Sequence, residues 1–517
     1  MFFILTASAD AYITNKIISS KFRATDANTG KAGTLDLFRL YDESSFISGG
    51  TRLTSSVEEL TRILVKFDYE ELVPLTSSSL DLNHSSFKAT LKLSEVKTGA
   101  PVPRNFNIVA YPLAQSFSEG SGRNVTQFSD VDAVNFVTAS YSGGSSNLWN
   151  TTGSGAGGYL GSANLDYVTS GSIGGTEIDF GKSQFFAEGP GDIELDVTSI
   201  VSSSLANNIA NHGFRITFSG SDETDNKTRF VKRFASRHSS NKLLVPKILL
   251  TWDNSIQDRH LDLQFNVSSS LFLTNTVSGQ RKNLISDSSL TELTGEQCVL
   301  LRFISGSGTN SETSFTVQAS QHTASTTGKG MTGVYSGTFN LNEFNTAFFG
   351  STPKKTDEIE LVEIWSTNDQ TVGFYTGSVK IRKTKKSTSG FSDRRLHVTA
   401  FNARQKYREG STPVIRVFIE DLDKTYSERA YKLPRKRESL VFDKAYYRIV
   451  DKETGTVVVP FDESRGSTRL SQDSDGMYFS FYTNGLPKNR QYAVDLLVFD
   501  SGVEKMLNLE NVSFMVV

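Results

Sequence analysis

The side chains with the greatest chemical reach lie between Phe214 and Trp252, in FRITFSGSDETDNKTRFVKRFASRHSSNKLLVPKILLTW. The turn SGSDETDNKT sets Asp222, Glu223 and Asp225 close together, with Asn226 as a neutral oxygen donor. A calcium ion takes roughly six to eight such oxygens, often from one loop and its backbone carbonyls. The ordered D-x-D-x-D-G spacing is missing, so a solvated acidic turn is the first reading and a calcium site the second. The turn DLDKTY, from residue 421, is a weaker version of the same pattern. Further on, RFASRHSS carries Arg237 and His238. A guanidinium fork there suits hydrogen bonds to loop carbonyls or to Asp68, with contact to a glycan or partner as the alternative.

Other chemistry is thinner. No G-x-S-x-G elbow joins a strand to a helix, and the glycine loop SGSGAGGYLGS is not followed by the G-K-[ST] of a phosphate cradle. The six histidines are scattered, with no His or Cys pair at a ligand spacing such as H-x-x-x-H. Carboxylates abound, but nothing in one sequence selects the facing pair that glycoside hydrolysis needs. Trp149 and Tyr159, in the Gly- and Ser-rich stretch from Ser140 to Gly175, could stack on a sugar ring. The plainer reading is that they pin their own loop or dock it on another subunit. Lys432, Arg435, Lys436 and Arg437 in YKLPRKRESL form the strongest basic cluster, either a solvated hairpin tip or a docking surface for an acidic neighbour.

The elements that must position these groups read as strands. In FRITFSG, Phe214, Ile216 and Phe218 alternate with Arg215 and Thr217, the period of a half-buried strand, and PKILLTW closes the segment after a polar connection. LTRILVKFDY, FKATLKLSEV and FNIVAYPL repeat the pattern upstream, the last two reading as a pair joined by TGAPVPRN. The one helical stretch is DVTSIVSSSLANNIANHG, residues 196 to 213, with Asp196 or Thr198 as cap and Gly213 as stop. LDLQFNV, CVLLRFI, SFTVQAS, GVYSGTFNL, EIELVEIW and GSVKIRK then suit a smaller sandwich. After the linker-like KTKKSTSGFSD come LHVTAFN, VIRVFIED, YYRIV, TVVVPF, MYFSFYT, YAVDLLVFD and VSFMVV, a count that matches an immunoglobulin-like sandwich. The expected fold is therefore all-β, with domains at 1–254, 255–392 and 393–517.

The 517 residues allow three or four domains, and 54 basic against 56 acidic side chains leave no electrostatic footprint for nucleic acid. The single Cys298, in the apolar QCVLLRF, excludes an internal disulfide framework and reads as a buried small hydrophobe. The start, MFFILTASADAYI, lacks a basic n-region and reads as a first strand rather than a signal peptide, and no apolar run reaches membrane-spanning length.

ADAYI, ELTRILVKFD, DVTSIV and RFASRHSSNKLLVPKILLTW, in that order, resemble the jelly-roll domains named after a DNRLRE-type signature, which are similar to carbohydrate-binding modules. Arg62, Phe67-Asp68, Asp196-Val197-Thr198 and Phe234-Ala235-Ser236-Arg237 occupy the matching places. ATDANTGKAGTLDLF and NHGFRITFSGSDETDNKTRFVKRFASRH further resemble virion structural proteins of contractile-tailed marine phages. The resemblance implies an N-terminal jelly roll followed by two immunoglobulin-like sandwiches. It also implies a non-enzymatic particle component of the tail or baseplate region, assembled in the host cytoplasm in several copies against other virion proteins, without a cofactor, nucleic acid or membrane insertion. A carbohydrate-binding adhesin recognising host surface glycan is the alternative, and a polysaccharide hydrolase comes third.

Overall fold

The structure, a computed structural model, describes residues 2–48, 51–76, 80, 82–83, 85–97, 102–126, 132–252, 260, 263–277, 280–286, 290–305, 313–323, 329–342, 358–382, 395–423, 439–473, 476–500 and 502–517. The chain is all-β. Among the described residues the helices are three short ones, Val73–Thr76, Thr198–Leu205 and Ser221–Thr224, and none is long and apolar enough to cross a membrane. Two compact units divide it, one made of Phe3–Leu75 with Phe87–Thr251, the other carrying Trp252–Val517.

In the first unit, the opening strand Phe2–Thr14 lies inside the sheet, between Thr51–Phe67 and the closing strand Lys247–Thr251. Its pairing with Thr51–Phe67 is antiparallel, and Ala7 donates its N–H to Pro246 carbonyl at 3.0 Å. Phe214–Phe218 follows Thr51–Phe67 in the order, then Phe106–Pro112 and Lys182–Phe186. The other side of Lys247–Thr251 continues through Lys88–Leu93 to Ile193–Asp196. Lys88–Leu93 and Phe106–Pro112 are thus strands as expected but do not pair with each other. Alternation fixes which face a residue takes; it does not choose a partner across a long connection.

Phe214–Phe218 departs from its half-buried reading. All five residues are buried, Arg215 and Thr217 included. The Gly-rich stretch is the reason: Arg215 Nε donates to the Ser154 carbonyl at 2.9 Å, and its guanidinium lies 4.3 Å from the Tyr167 ring centre. The "polar connection" downstream also proves to hold a strand, Arg229–Ala235, paired antiparallel with Thr34–Ser48. Charged residues hide it in the sequence because their charges are paired in the fold. Lys232, fully buried, donates to Glu95 at 2.8 Å and to the Gly189 carbonyl at 2.8 Å.

The helix is shorter than the sequence indicates. It spans Thr198–Leu205, with Val197 as N-cap and no side-chain cap, and buries Ile200 and Val201. Asp196 Oδ1 instead accepts from the Thr198 N–H, and Thr198 Oγ1 accepts from the Ala89 N–H, which ties the helix to Lys88–Leu93. Asn207 at φ 60° ends it, a left-handed conformation that asparagine tolerates better than most residues.

The second unit holds two separate strand systems. Residues 263–382 form one seven-stranded order, in which Thr313–Thr323 pairs first with Val299–Ser305 and then with Gly330–Asn340. Around it Leu301, Phe303, Tyr335, Phe339, Trp365 and Val379 make one core, against which partly buried Cys298 packs. Burial raises the Cys298 thiol pKa above its ordinary value. The strand Ser268–Thr274 is an addition, its SSSLFLT too serine-rich to announce itself. Residues 396–516 form a four-stranded and a five-stranded sheet. Tyr447 of one stacks on Phe479 of the other, ring centres 4.4 Å apart, and Phe481 meets Phe514 at 5.1 Å. Inward faces of two sheets closing on aromatics define a β-sandwich.

Candidate functional site

The acidic turn is an ionic latch. One helical turn, Ser221–Thr224, aims its carboxylates at guanidinium groups from other strands. Glu223 Oε1 accepts from Arg62 Nε at 2.8 Å and Thr217 Oγ1 at 2.6 Å, with Arg215 Nη2 at 3.6 Å. Asp222 takes Arg229 at 2.9 Å and the Asn107 N–H at 2.8 Å. Asp225 takes Arg229 through both oxygens, at 2.7 Å each, and Arg39 at 3.1 Å. Burial works against the Glu223 charge, but Arg62 and Arg215 outweigh it and hold its pKa below the usual value. The Arg229 hydrogen bond does the same for Asp225. These oxygens are engaged by guanidinium and N–H groups, bonds with which a calcium ion would have to compete, and Asn226 is exposed. Millimolar calcium added to chelator-treated protein is therefore expected to move Tm by less than about 1 °C in a thermal melt; a rise of several degrees would restore the calcium reading.

The aromatic pair separates. Trp149 is buried against Ala11, Ile13, Leu64 and Leu113 and donates its indole N–H to the Asn135 carbonyl at 3.0 Å, so it pins the loop. Tyr159 stays exposed, its hydroxyl 3.1 Å from Glu177. Asp166 was not singled out by any spacing, yet it organises the same stretch. Fully buried, it accepts from Gln115 and from the N–H groups of Asn150, Thr151 and Ala156, all within 3.0 Å. Lys432, Arg435, Lys436 and Arg437 lie outside the described residues.

Arg237 and His238 meet two residues from distant parts of the chain, Asp10 and Glu119. Arg237 grips Glu119 with both prongs, Nε to Oε1 at 2.6 Å and Nη2 to Oε2 at 2.8 Å. Its backbone N–H donates to Asp10 Oδ2 at 2.6 Å, and the Asp10 N–H donates to Glu119 Oε1 at 2.9 Å. Asp68, offered beside loop carbonyls as a partner for Arg237, instead accepts from the Glu70 N–H in its own turn. His238 Nε2 stands 3.5 Å from Glu119 Oε1.

Local sequence builds this cluster. Asp10 interrupts the apolar strand Phe2–Thr14 and is 1% exposed. In ATDANTGKAG, Thr29 Oγ1 donates to the Tyr12 carbonyl and accepts the Tyr12 N–H, pinning the turn to that strand. Asn28 uses its full amide capacity: Nδ2 to the Glu119 and Val134 carbonyls, Oδ1 from the Gly30 and Gly122 N–H groups. Glycine is required at both, since a Cβ on Gly30 would lie 1.9 Å from the Glu119 carbonyl oxygen and one on Gly122 2.0 Å from that of Asn28. Ser236 Oγ donates to the Ala32 carbonyl and sets the following Arg237-His238 backbone.

Asp10 Oδ1 and His238 Nε2 are buried without a hydrogen-bond partner. Burial, and then the nearby Glu119 charge, push the Asp10 pKa up to about 7 against the opposing bond from the Arg237 N–H. The passages quoted for the family resemblance (ADAYI, ATDANTGKAG and RFASRH) thus converge on one cluster. Glu119, in the polar loop QSFSEGSGR, gave no sequence signal.

No protein-family model matches the chain, and no curated protein matches it. Among solved structures it is similar to the tandem Ig repeats of Dlar, at 8% identity over 51% of this chain and 95% of that one, with a TM-score of 0.13. It is likewise similar to the two tandem V-type regions of VCBP3, a v-region-containing chitin binding protein, at 9% identity over 51% and 97%, TM-score 0.13. The D00-D0 domain of intimin aligns at 8% identity over 51% and 98%, TM-score 0.14. At these scores the strand pairing above remains the description of the fold.

Proposed function

We propose that the chain is a non-enzymatic structural protein of a phage particle, in the tail or baseplate region. In this reading an N-terminal jelly roll and two immunoglobulin-like sandwiches are docking modules, present in several copies on a symmetric particle and assembled in the host cytoplasm. Repetition turns weak contacts into strong attachment. The observation that carries the reading is the use made of the polar residues in the first unit. Asp222, Glu223, Asp225 and Asp166 are spent on guanidinium and backbone N–H groups that lock loops to sheets. Such a surface is preorganised for docking. Mass spectrometry and a cryo-EM reconstruction of purified particles test it: stoichiometric chain in ordered contact with tail, baseplate or capsid proteins is the expected result, and particles lacking the chain refute it.

A second reading, a glycan-binding adhesin, has one observation of its own. A groove of about 490 Å³ in the first unit is lined by Gln115, Asn150, Asn164, Asn208 and His212. Amide side chains suit sugar hydroxyls, and the nearby Tyr159 is exposed. A glycan array with the full chain decides: binding that is lost in Asn164→Ala with Tyr159→Ala supports the adhesin, and no binding removes it.

A further inference from the structure

We infer that Asp10, Glu119 and His238 form a binding site for a divalent transition-type cation, with zinc as the best match. The three side chains bring one ligand atom each within 4.8 Å of one another. Among the described residues no other trio of His, Cys, Asp or Glu side chains meets this spacing. In a tetrahedral zinc site with bonds of about 2.0–2.2 Å, ligand atoms stand roughly 3.3–3.5 Å apart. His238 Nε2 and Glu119 Oε1 are already separated by 3.5 Å.

Two further facts point to an ion rather than to a closed polar network. Asp10 is 1% exposed, yet its Oδ1 has no hydrogen-bond partner, and buried His238 Nε2 makes no hydrogen bond either, its Glu119 Oε1 contact being 3.5 Å. Leaving both unsatisfied is costly. A cation accepting a lone pair from each would remove both deficits at once. The set of one imidazole nitrogen and two carboxylate oxygens suits zinc, cobalt or manganese better than calcium or magnesium, which take oxygen almost exclusively. The His238 and Arg237 side chains are about a third exposed, at 27% and 33%, so an ion can reach the cluster from solvent.

Arg237 shapes the affinity. It occupies Glu119 and places a positive charge beside the site. Coordination through Oε1 therefore competes with the Arg237 Nε and Asp10 N–H bonds, while the Nη2 bond to Oε2 can persist.

The test uses the full chain, stripped with a chelator and titrated with cobalt(II), followed by visible absorption and by competition with zinc. One equivalent with the d–d bands of a low-coordinate site, displaced by zinc, is expected. Because the ligands are nitrogen and oxygen, no thiolate charge-transfer band should accompany them. His238→Ala and Asp10→Asn are each expected to weaken binding at least tenfold. Arg237→Gln, which removes a competing cation and no ligand, is expected to keep the ion or hold it more tightly. If Asp10→Asn fails to fold, His238→Ala, at a side chain 27% exposed and checked by circular dichroism, carries the result. Failure of the wild type to take up one equivalent would overturn the site, and so would unchanged affinity in His238→Ala. Neither outcome bears on the particle reading, which rests on different residues.

Discussion

Replacing Glu223 with alanine is expected to destabilise the first unit by about 3–5 kcal/mol, the usual cost of removing one partner of a buried ion pair. Glu223 holds Arg62 directly and faces Arg215, whose side chain is 2% exposed. Arg215 is already strained as a cation: burial, followed by repulsion from Arg62, lowers its pKa to about 10. Without Glu223 its remaining support is the Ser154 carbonyl and the Tyr167 ring. A second change, Arg215→Met, removes the stranded charge and should recover a large part of the loss, since replacing a whole buried pair by apolar groups is often near neutral. Chemical denaturation of the single and double variants measures both. If Glu223→Ala costs less than about 1 kcal/mol, a value ordinary for exposed ion pairs, the latch is not holding the unit together.

Asp10→Asn has the opposite expected sign at alkaline pH in chelator-treated protein. The folded-state pKa of Asp10 is raised from 3.8 to about 7, chiefly by burial. A carboxyl group raised in this way stabilises the fold fully below its unfolded value, and that contribution is lost as pH climbs through the folded value. Ionised Asp10 thus withdraws on the order of 4 kcal/mol between about pH 4 and pH 8. Asparagine keeps an acceptor for the Arg237 N–H and offers an N–H toward His238, with no charge to bury. The variant should be more stable than wild type at pH 8, and its stability should vary less with pH over this window. Urea midpoints at pH 5 and pH 8 provide the check; an unchanged pH slope in the variant would remove Asp10 as its source. Excess zinc should narrow the difference at pH 8, because the wild type holds the ion more tightly than the variant.

Much of the strand map was legible because burial imposes period two on residues such as Phe214, Ile216 and Phe218. The strand VIRVFIED appears as Val414–Asp421, and YAVDLLVFD lies within Gln491–Asp500. Legibility failed where charge was neutralised in three dimensions. Arg229–Ala235 looks polar in one dimension, but Arg229 is buried on Asp222 and Asp225 of the preceding turn and Lys232 on Glu95, far back in the chain. The same reasoning explains the site. Arg237 and His238 were visible as a pair, whereas Glu119 sits in a polar loop whose position depends on Asn28, 91 residues earlier. Asp10 did leave a trace, an acid in the middle of an apolar strand, where an unpaired charge is too costly to be incidental.

The placement of Phe2–Thr14 between Thr51–Phe67 and Lys247–Thr251 sets the order of events during synthesis. Phe2–Thr14 is made before both of its neighbours, and one of them is the last strand of the unit. Ala7 cannot meet Pro246, nor Asp10 the Arg237 N–H 227 positions further on, until the intervening chain has been made. Until then the strand has an exposed edge and an unfilled apolar face, the state in which chains mispair or aggregate. With contacts of such long sequence separation the unit should fold slowly, and release of a nascent chain before Thr251 should yield insoluble rather than partly folded protein.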